Sequence, residues 1–376
     1  MPKETVSLRQ AACTFVMFLF GSSVIMGVNS EAGQDSWISL LLAMLMALPI
    51  ILIYARIMRL YPEMDLFEIV EKVIGKIGGK IVTILMIWYA LHLCALVIRD
   101  FSEFIKVTVL TETPQLNIML ILILVVVYMS KSGIETMGKW SVIILPVITL
   151  VVIFTMILGL ERIDPTNLLP IMGHSLGTIA GGAYKIFAFP FAETVVFLCL
   201  AGSLRKKDSP YKLFTVATLI ATVIFLLVIM RNLLLLGPAV TNAKYYPSYT
   251  AVRIINVGDF LVRIEGSTAL NFILAGVIKT TVCLVAASKG ITRLFGLCNY
   301  KHIVFPLGLL AVALGTLLYE NIKEAFDFLE IYQIYAIPFQ IIIPVFIWIL
   351  AEIKVRQDKA ANGSHSPDSA QTDAAG

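Results

Sequence analysis

The chain is expected to fold as an all-α polytopic membrane protein of about ten transmembrane helices, and three observations support this. Apolar segments long enough to cross a bilayer recur along all but the last twenty of its 376 residues. Hydrophobic residues make up 59% of the chain and charged residues only 14%, with a mean hydropathy of +0.89. A soluble chain carries about 25% charged residues, so a soluble enzyme or nucleic-acid binder is excluded as a class. The third observation is that two of the apolar segments are interrupted near their middles, at Gly21-Ser22-Ser23 and at Pro190. A break at bilayer depth frees backbone N–H and C=O groups, which persist only where they meet protein, water or a ligand.

The spans are expected near 9–29, 36–57, 80–107, 115–131, 139–159, 177–200, 211–236, 267–287, 302–319 and 333–352. The first is long, lacks a small-residue cleavage site, and is expected to remain as a span. Between the second and third, residues 62–77 carry apolar residues at helical spacing with charges between them, an amphipathic helix on the cytoplasmic surface. The third span exceeds one bilayer crossing, so it should tilt or project. Residues 238–266 form the longest outer loop, rich in aromatic and charged residues, with room for a short helix. Residues 320–332 are also expected outside, in a loop. Residues 357–376 are small and polar and lack the apolar content to fold, giving a disordered cytoplasmic tail after an integral domain of 1–356.

With an inside N-terminus, about 19 of the 29 lysines and arginines fall in cytoplasmic segments, which puts both termini in the cytoplasm. The five cysteines, Cys13, Cys94, Cys199, Cys283 and Cys298, show no CxxC spacing and read as small apolar residues. No HExxH, GxSxG or Walker A string is present, and no metal-ligand cluster, so neither enzyme chemistry nor a cofactor is expected.

Two interrupted helices in corresponding positions of two halves point to a transporter-like binding site. Gly21, Ser22 and Ser23 permit unwinding and close approach of a ligand; the plain alternative is helix packing through small residues. Gly27 lies nearer the outer end of the span. In span six Pro190 removes a helix bond, and Phe187, Phe189 and Phe191 can wall an apolar pocket or simply pack. Glu193 is ionisable, near mid-membrane and beside the break. It can hold a substrate ammonium, carry a proton or form a structural pair. Lys185, two turns outward, meets a carboxylate or snorkels.

Span three adds Tyr89, His92, Arg99, Asp100 and Glu103. Arg99 and Glu103 are four apart and share a helix face, as an ion pair at the outer rim or a polar vestibule lining. His92 is a buried imidazole or a proton relay. Span eight carries Asn271 in the pocket region and Lys279 in its inner half. Glu193, Lys279 and Glu103 are the candidates for proton or ion coupling. Arg231, near the outer end of span seven, is expected to snorkel or pair with a loop acid.

Spans 1–5 and 6–10 enter from opposite sides, and each set begins with its broken helix. The halves, about 9–159 and 177–352, thus resemble the five-plus-five inverted repeat of the amino acid–polyamine–organocation superfamily. Three strings narrow the likeness: Leu110-Thr111-Glu112-Thr113-Pro114, Phe189-Pro190-Phe191-Ala192-Glu193-Thr194, and Ile254-Ile255-Asn256-Val257-Gly258-Asp259-Phe260-Leu261-Val262-Arg263-Ile264-Glu265. With the span count and length, they resemble the spore germination permease family, the B subunits of germinant receptors in endospore-forming bacteria. The resemblance implies a receptor subunit in the spore inner membrane. It would bind a small nutrient, often an amino acid, beside an A subunit and a C-subunit lipoprotein. In sodium-coupled members of this fold a cation site lies between spans one and eight. Lys279 at that level implies an ammonium in place of sodium, the plain alternative being that it snorkels to the inner surface. The other readings are a proton-coupled amino acid transporter and a structural subunit with a vestigial pocket.

Overall fold

The computed structural model describes residues 4–26, 31–255 and 264–363. Among the described residues the chain is helical, with one isolated bridge, Val6 to Leu204, and no sheet. Among the described residues, eight helical stretches are long and apolar enough to cross a membrane. Ten were expected. One remaining stretch, α1 (Leu8–Met26), bends inside at Gly21. The other, Val304–Leu318, has 15 residues and reaches about 22 Å, short of a hydrocarbon core about 30 Å thick.

Helices α2 (Ser36–Leu60), α3 (Leu66–Ile74) and α4 (Lys76–Thr108) follow α1. The short α3 is the expected amphipathic helix. Asp65 accepts from the Glu68 amide and the Glu68 side chain accepts from the Asp65 amide, both at 3.1 Å, which closes a capping box. Its apolar face, Leu66, Phe67, Ile69 and Val70, is buried against α4 and the rest of the protein. The apolar face of this amphipathic helix thus meets protein neighbours.

Next come α5 (Gln115–Ser132), α6 (Ile134–Leu158) and α7 (Leu176–Ala188), the last followed by a 3₁₀ segment, Phe191–Ser203. The Leu176–Ser203 span is 94% buried over its most apolar stretch, against 33% for α5 and α6. The first is therefore central, while the others turn residues such as Ile121 and Leu150 outward. Helix α8 (Pro210–Ala243) bends at Gly237, whose φ of 72° suits glycine, just before Pro238. The short α9 (Pro247–Arg253) is the helix expected in the outer loop. Helix α10 (Glu265–Phe295) packs mainly on α4 and α1.

After α11 (Val304–Leu318), two helices, α12 (Ile322–Tyr335) and α13 (Ile343–Gly363), are joined by a π turn, Pro338–Ile342. This overturns two expectations. Residues 322–332 are helix, capped where Asn321 accepts from the Glu324 amide at 3.1 Å. Their charges occupy an exposed face while Ala325 and Tyr332 face inward, so a charged stretch at the rim is amphipathic helix here. The final helix also continues through Gly363, past the expected start of the tail at 357; residues 364–376 lie outside the described residues.

At the end where α4 begins, the N-terminal segment is tied down. Val6 N–H donates to the Ser203 carbonyl at 2.9 Å, and Leu8 N–H to Asp208 at 3.0 Å. Glu4 accepts from the Ile134 amide at 3.0 Å and Tyr300 at 2.9 Å, and lies 2.8 Å from Lys301. Burial acts to raise the Glu4 carboxyl, but these partners outweigh it and hold the group below its ordinary value.

Candidate functional site

Both breaks open onto one polar cluster in the middle of the bundle. At Gly21 the backbone leaves helical geometry, with φ −22° and ψ −110°. A Cβ there would sit 2.6 Å from Lys279 Cδ, so the missing side chain is what lets the Lys279 stem cross α1. The ammonium then reaches Ser22 Oγ at 3.0 Å and Glu193 Oε2 at 2.5 Å. Lys279 and Glu193 are 0% exposed, so the pair is wholly desolvated. The Phe18 and Phe189 rings flank the ammonium at 5.1 and 4.9 Å from their centroids and add cation–π attraction.

The carboxylate's other oxygen accepts from Tyr332 OH at 2.6 Å. A phenol has one proton, so Tyr332 receives the next bond, from Tyr89 OH at 3.1 Å. Tyr89 in turn accepts from Gln340 Nε2 at 2.9 Å. Gln340 Nε2 also donates to the Ala188 carbonyl at 2.9 Å, and the single proton of Tyr54 OH is shared between the Gln340 carbonyl at 2.5 Å and the Ala192 carbonyl at 3.3 Å. The Ala188 and Ala192 carbonyls flank the Pro190 break. Groups interrupted in the span-six helix are thus satisfied by side chains of the π turn and α2, as a break at bilayer depth requires.

This chain of bonds, from Gln340 through Tyr89 and Tyr332 to Glu193 and Lys279, joins four spans, and Ser22 on α1 and Tyr54 on α2 tie in two more. A cavity of about 20 Å³ lies against it, room for about one water. Ser22 and Glu193 line it with Asp100, Tyr319, Phe189, Tyr332 and the apolar Leu93, Leu96, Val97, Phe328 and Leu329. Tyr319 OH donates to Asp100. Two larger cavities, of about 620 and 660 Å³, open far from this cluster at opposite ends of α4.

Several residues singled out from the sequence converge here: Gly21, Ser22, Tyr89, Glu193 and Lys279, with Pro190 as the break itself. Ser23 instead donates to the Leu19 carbonyl at 2.9 Å. His92 stands in an aromatic box of Trp88, Phe328 and Tyr335, its Nδ1 without a partner, and makes no bond to the cluster. Phe187 stacks on Tyr184 and Phe191 packs edge-on to Phe225; neither lines the cavity. Asn271 donates to the Ile148 carbonyl at 3.5 Å, outward of the cluster. Glu103 accepts from Gln115 at 2.7 Å and lies 3.7 Å from Arg99, an ion pair within α4.

Lys185 meets two carboxylates, Glu31 at 2.6 Å and Glu330 at 2.7 Å. Gly27 lies outside the described residues. Arg231 corrects an expectation. It is 2% exposed and neither snorkels nor meets an acid, because Thr155, Asn232 and the Ser248 carbonyl accept its protons among the described residues. Tyr332, Gln340 and Tyr54 were missed. Gln340, a lone amide inside Ile337-Pro338-Phe339-Gln340-Ile341, was the available signal for the second of them.

A family profile described as "Spore germination protein" matches residues 5–325. The chain belongs to the spore germination protein family. Spore germination protein KB of Bacillus subtilis (strain 168) is 26% identical over 373 residues, covering 97% of this chain and all of the relative. The putative spore germination protein YfkT of the same organism is 24% identical, covering 86% of this chain and 89% of that one. Two solved transporters share the fold at 12% identity. Mhp1, a nucleobase-cation-symport-1 family transporter in a closed conformation with bromovinylhydantoin bound, gives a TM-score of 0.67 and covers 88% of this chain and 75% of its own. MhsT in complex with L-phenylalanine gives 0.66, covering 93% and 89%. As a spore germination family member with eight helices, among the described residues, long and apolar enough to cross a membrane, the chain is an integral membrane protein with a permease-like fold. The family string at 254–265 falls largely on residues 256–263, outside the described residues.

Proposed function

We propose that the chain is the permease-like subunit of a nutrient germinant receptor, and that it binds a small nutrient, an amino acid in the first instance, between the breaks at Gly21 and Pro190. One observation carries the reading. The Glu193–Lys279 pair sits where both breaks meet, in a chain whose fold is shared by a transporter solved with L-phenylalanine. A pair of buried charges is costly for stability alone, and in a membrane bundle ionisable residues mark ligand or ion paths. The ligand shifts the helices only by binding one arrangement better than another. The signal then passes to an A subunit and a C-subunit lipoprotein in the spore inner membrane, with both termini cytoplasmic. No chemistry is performed on the ligand.

The second reading is a proton-coupled amino acid transporter. The Lys279 ammonium on Ser22 of α1 favours it, since a fixed cation there removes the need for sodium. Spores with and without this gene, exposed to amino acids, nucleosides and sugars, separate the readings. Loss of response to one nutrient, restored by the intact gene but not by Glu193→Gln, supports the receptor. An unchanged germination profile together with radiolabelled amino acid uptake into vesicles supports the transporter.

A further inference from the structure

We propose that Arg9, Arg205, Lys206, Lys207 and Lys212, gathered where the two broken spans end beside the start of α4, form a binding site for anionic phospholipid headgroups, and that a bound headgroup holds the N-terminal segment closed over that end.

The N-terminal segment brings these charges together. Val6 N–H donates to the Ser203 carbonyl at 2.9 Å and pairs with Leu204 in the isolated bridge, and Leu8 N–H donates to Asp208 at 3.0 Å. Arg9, the next residue, is thereby fixed beside a tight turn that carries Arg205, Lys206 and Lys207, closed where Asp208 N–H donates to the Arg205 carbonyl at 2.9 Å. Ser209 then caps α8, and Lys212 follows in its first turn. All five cations are exposed, and none has a carboxylate partner among the described residues. The acid of the turn, Asp208, already accepts from the Leu8 amide. Other cations at this end are matched: Arg56 with Glu352 at 2.5 Å, Lys139 with Glu135 at 2.9 Å, Arg293 with Glu71 at 2.5 Å and Lys301 with Glu4 at 2.8 Å. Like charges gathered around one turn repel, so closing the segment calls for counter-charge from outside the chain.

A phospholipid fits the place as well as the charge. The turn joins two apolar spans, Leu176–Ser203 and Pro210–Ala243, so its cations stand within a few residues of the hydrocarbon zone. Beyond Lys212 the exposed face of α8 continues as Val216, Leu219, Ile220 and Val223, at the three- and four-residue spacing of one helix face. Cations at the head of an exposed hydrocarbon strip match a phosphate at the head of acyl chains, whereas a soluble acidic protein makes no use of the strip. Each cation near an anionic membrane surface contributes about fivefold in affinity. A headgroup that binds the closed arrangement better also stabilises it, by the same factor by which closure tightens headgroup binding. Leu8 opens α1 and Ser203 ends the segment after Pro190, so the charge of the membrane sets how firmly the two broken spans are tied.

The test uses the purified full-length chain in nanodiscs of phosphatidylcholine alone, or of equal parts phosphatidylcholine and phosphatidylglycerol. Both leaflets are presented, so the outcome does not depend on topology. Hydrogen exchange in peptides covering residues 4–9 reports closure. Exchange is expected to slow by about 10-fold or more with phosphatidylglycerol. Arg205→Gln/Lys206→Gln/Lys207→Gln should abolish that difference. Lys76→Gln/Lys80→Gln, at two exposed cations in the first turns of α4, should leave it in place. These side chains are exposed, and unchanged protection of α4 and α10 in the same experiment verifies that the variants keep the fold.

Equal exchange in the two lipids overturns the inference. So does survival of the difference in the triple variant, or its loss in both variants alike, which marks diffuse attraction to a charged surface. Inorganic phosphate and polyglutamate are added separately to the phosphatidylcholine discs. Protection by phosphate equal to that by phosphatidylglycerol means a small-anion site, and equal protection by polyglutamate means a docking surface for an acidic protein; either result removes the lipid. If a variant fails to fold, the wild-type comparison of lipid, phosphate and polyglutamate still decides.

Discussion

Lys279 and Arg231 are both cations buried within spanning helices, and they are satisfied in different ways. Lys279 faces a carboxylate, Glu193, at 2.5 Å, with Ser22 as a second acceptor. Arg231 spreads its charge over neutral oxygens: Thr155 on α6 at 2.9 Å, its neighbour Asn232 at 3.1 Å and the Ser248 carbonyl on α9 at 3.5 Å. Asn232 also donates to Ser248 Oγ at 3.0 Å, so the arginine closes a clamp between α6, α8 and α9. The guanidinium has five donors in a fixed fork, which suits a static clamp. An ammonium on a flexible stem against one carboxylate suits a contact that is made and broken. One buried charge ties α6, α8 and α9 together; the other lies in the cluster between the two helix breaks.

This contrast is most sharply tested by removing each charge. Lys279→Met or Glu193→Gln leaves the other charge buried alone and should cost about 3–5 kcal/mol in thermal unfolding, while the double variant recovers most of that loss. Additive losses in the cycle would break the pairing. Arg231→Met removes the cation but strands only neutral groups, so about 2–3 kcal/mol is expected, with no coupling to Glu193→Gln. A coupling above about 1 kcal/mol would merge the two regions and erase the distinction.

Smaller changes sharpen the same comparison. Gly21→Ala brings a Cβ to 2.6 Å from Lys279 Cδ and should cost about 2 kcal/mol by displacing the stem. The same change combined with Lys279→Met should cost less, since the stem at 279 is then no longer held to Glu193 and Ser22 and can move aside. Tyr332→Phe removes one bond to a charged acceptor and should cost about 1.5 kcal/mol, visible as a lowered midpoint in the same assay. A silent Tyr332→Phe would remove α12 from the site.

The smallest effect belongs to Glu4, which ties the N-terminal segment to Ile134, Tyr300 and Lys301. Its folded carboxyl lies below the ordinary value of 4.5, so its contribution is present above that value and is lost as pH falls through the lower folded one. Glu4→Gln should cost less than about 1 kcal/mol near neutral pH. Protease access to the N-terminal segment should rise on acidification in wild type and change less in Glu4→Gln.

Much of the site was legible because charges and helix breakers are conspicuous in apolar runs. Gly21, Pro190, Glu193 and Lys279 each stand out against their neighbours, and the structure gathers them. That Glu193 and Lys279 meet was not legible, since nothing local says which helices adjoin. Tyr332 was hidden because residues 322–332 carry enough charge to read as loop, whereas the charges line one face of α12. Tyr54 is one aromatic among many in spanning helices, and its role appears only beside the carbonyls at the break. Conversely, Asn271, His92 and Glu103 are as polar as the site residues, yet each finds a local environment that leaves it outside the cluster. Polarity in a span signals a cost that must be met; where it is met depends on tertiary neighbours.

The most direct measurement places the double variant Glu193→Gln/Lys279→Met in spores that otherwise lack this gene. Protein level in the spore membrane is followed by immunoblot, and germination is scored against the nutrient that wild type answers. The expected result is a stable protein at near wild-type level with the response lost, because a charge-neutral site is no longer built for the ligand. A full response from the double variant would contradict the assignment of this buried pair to the ligand site.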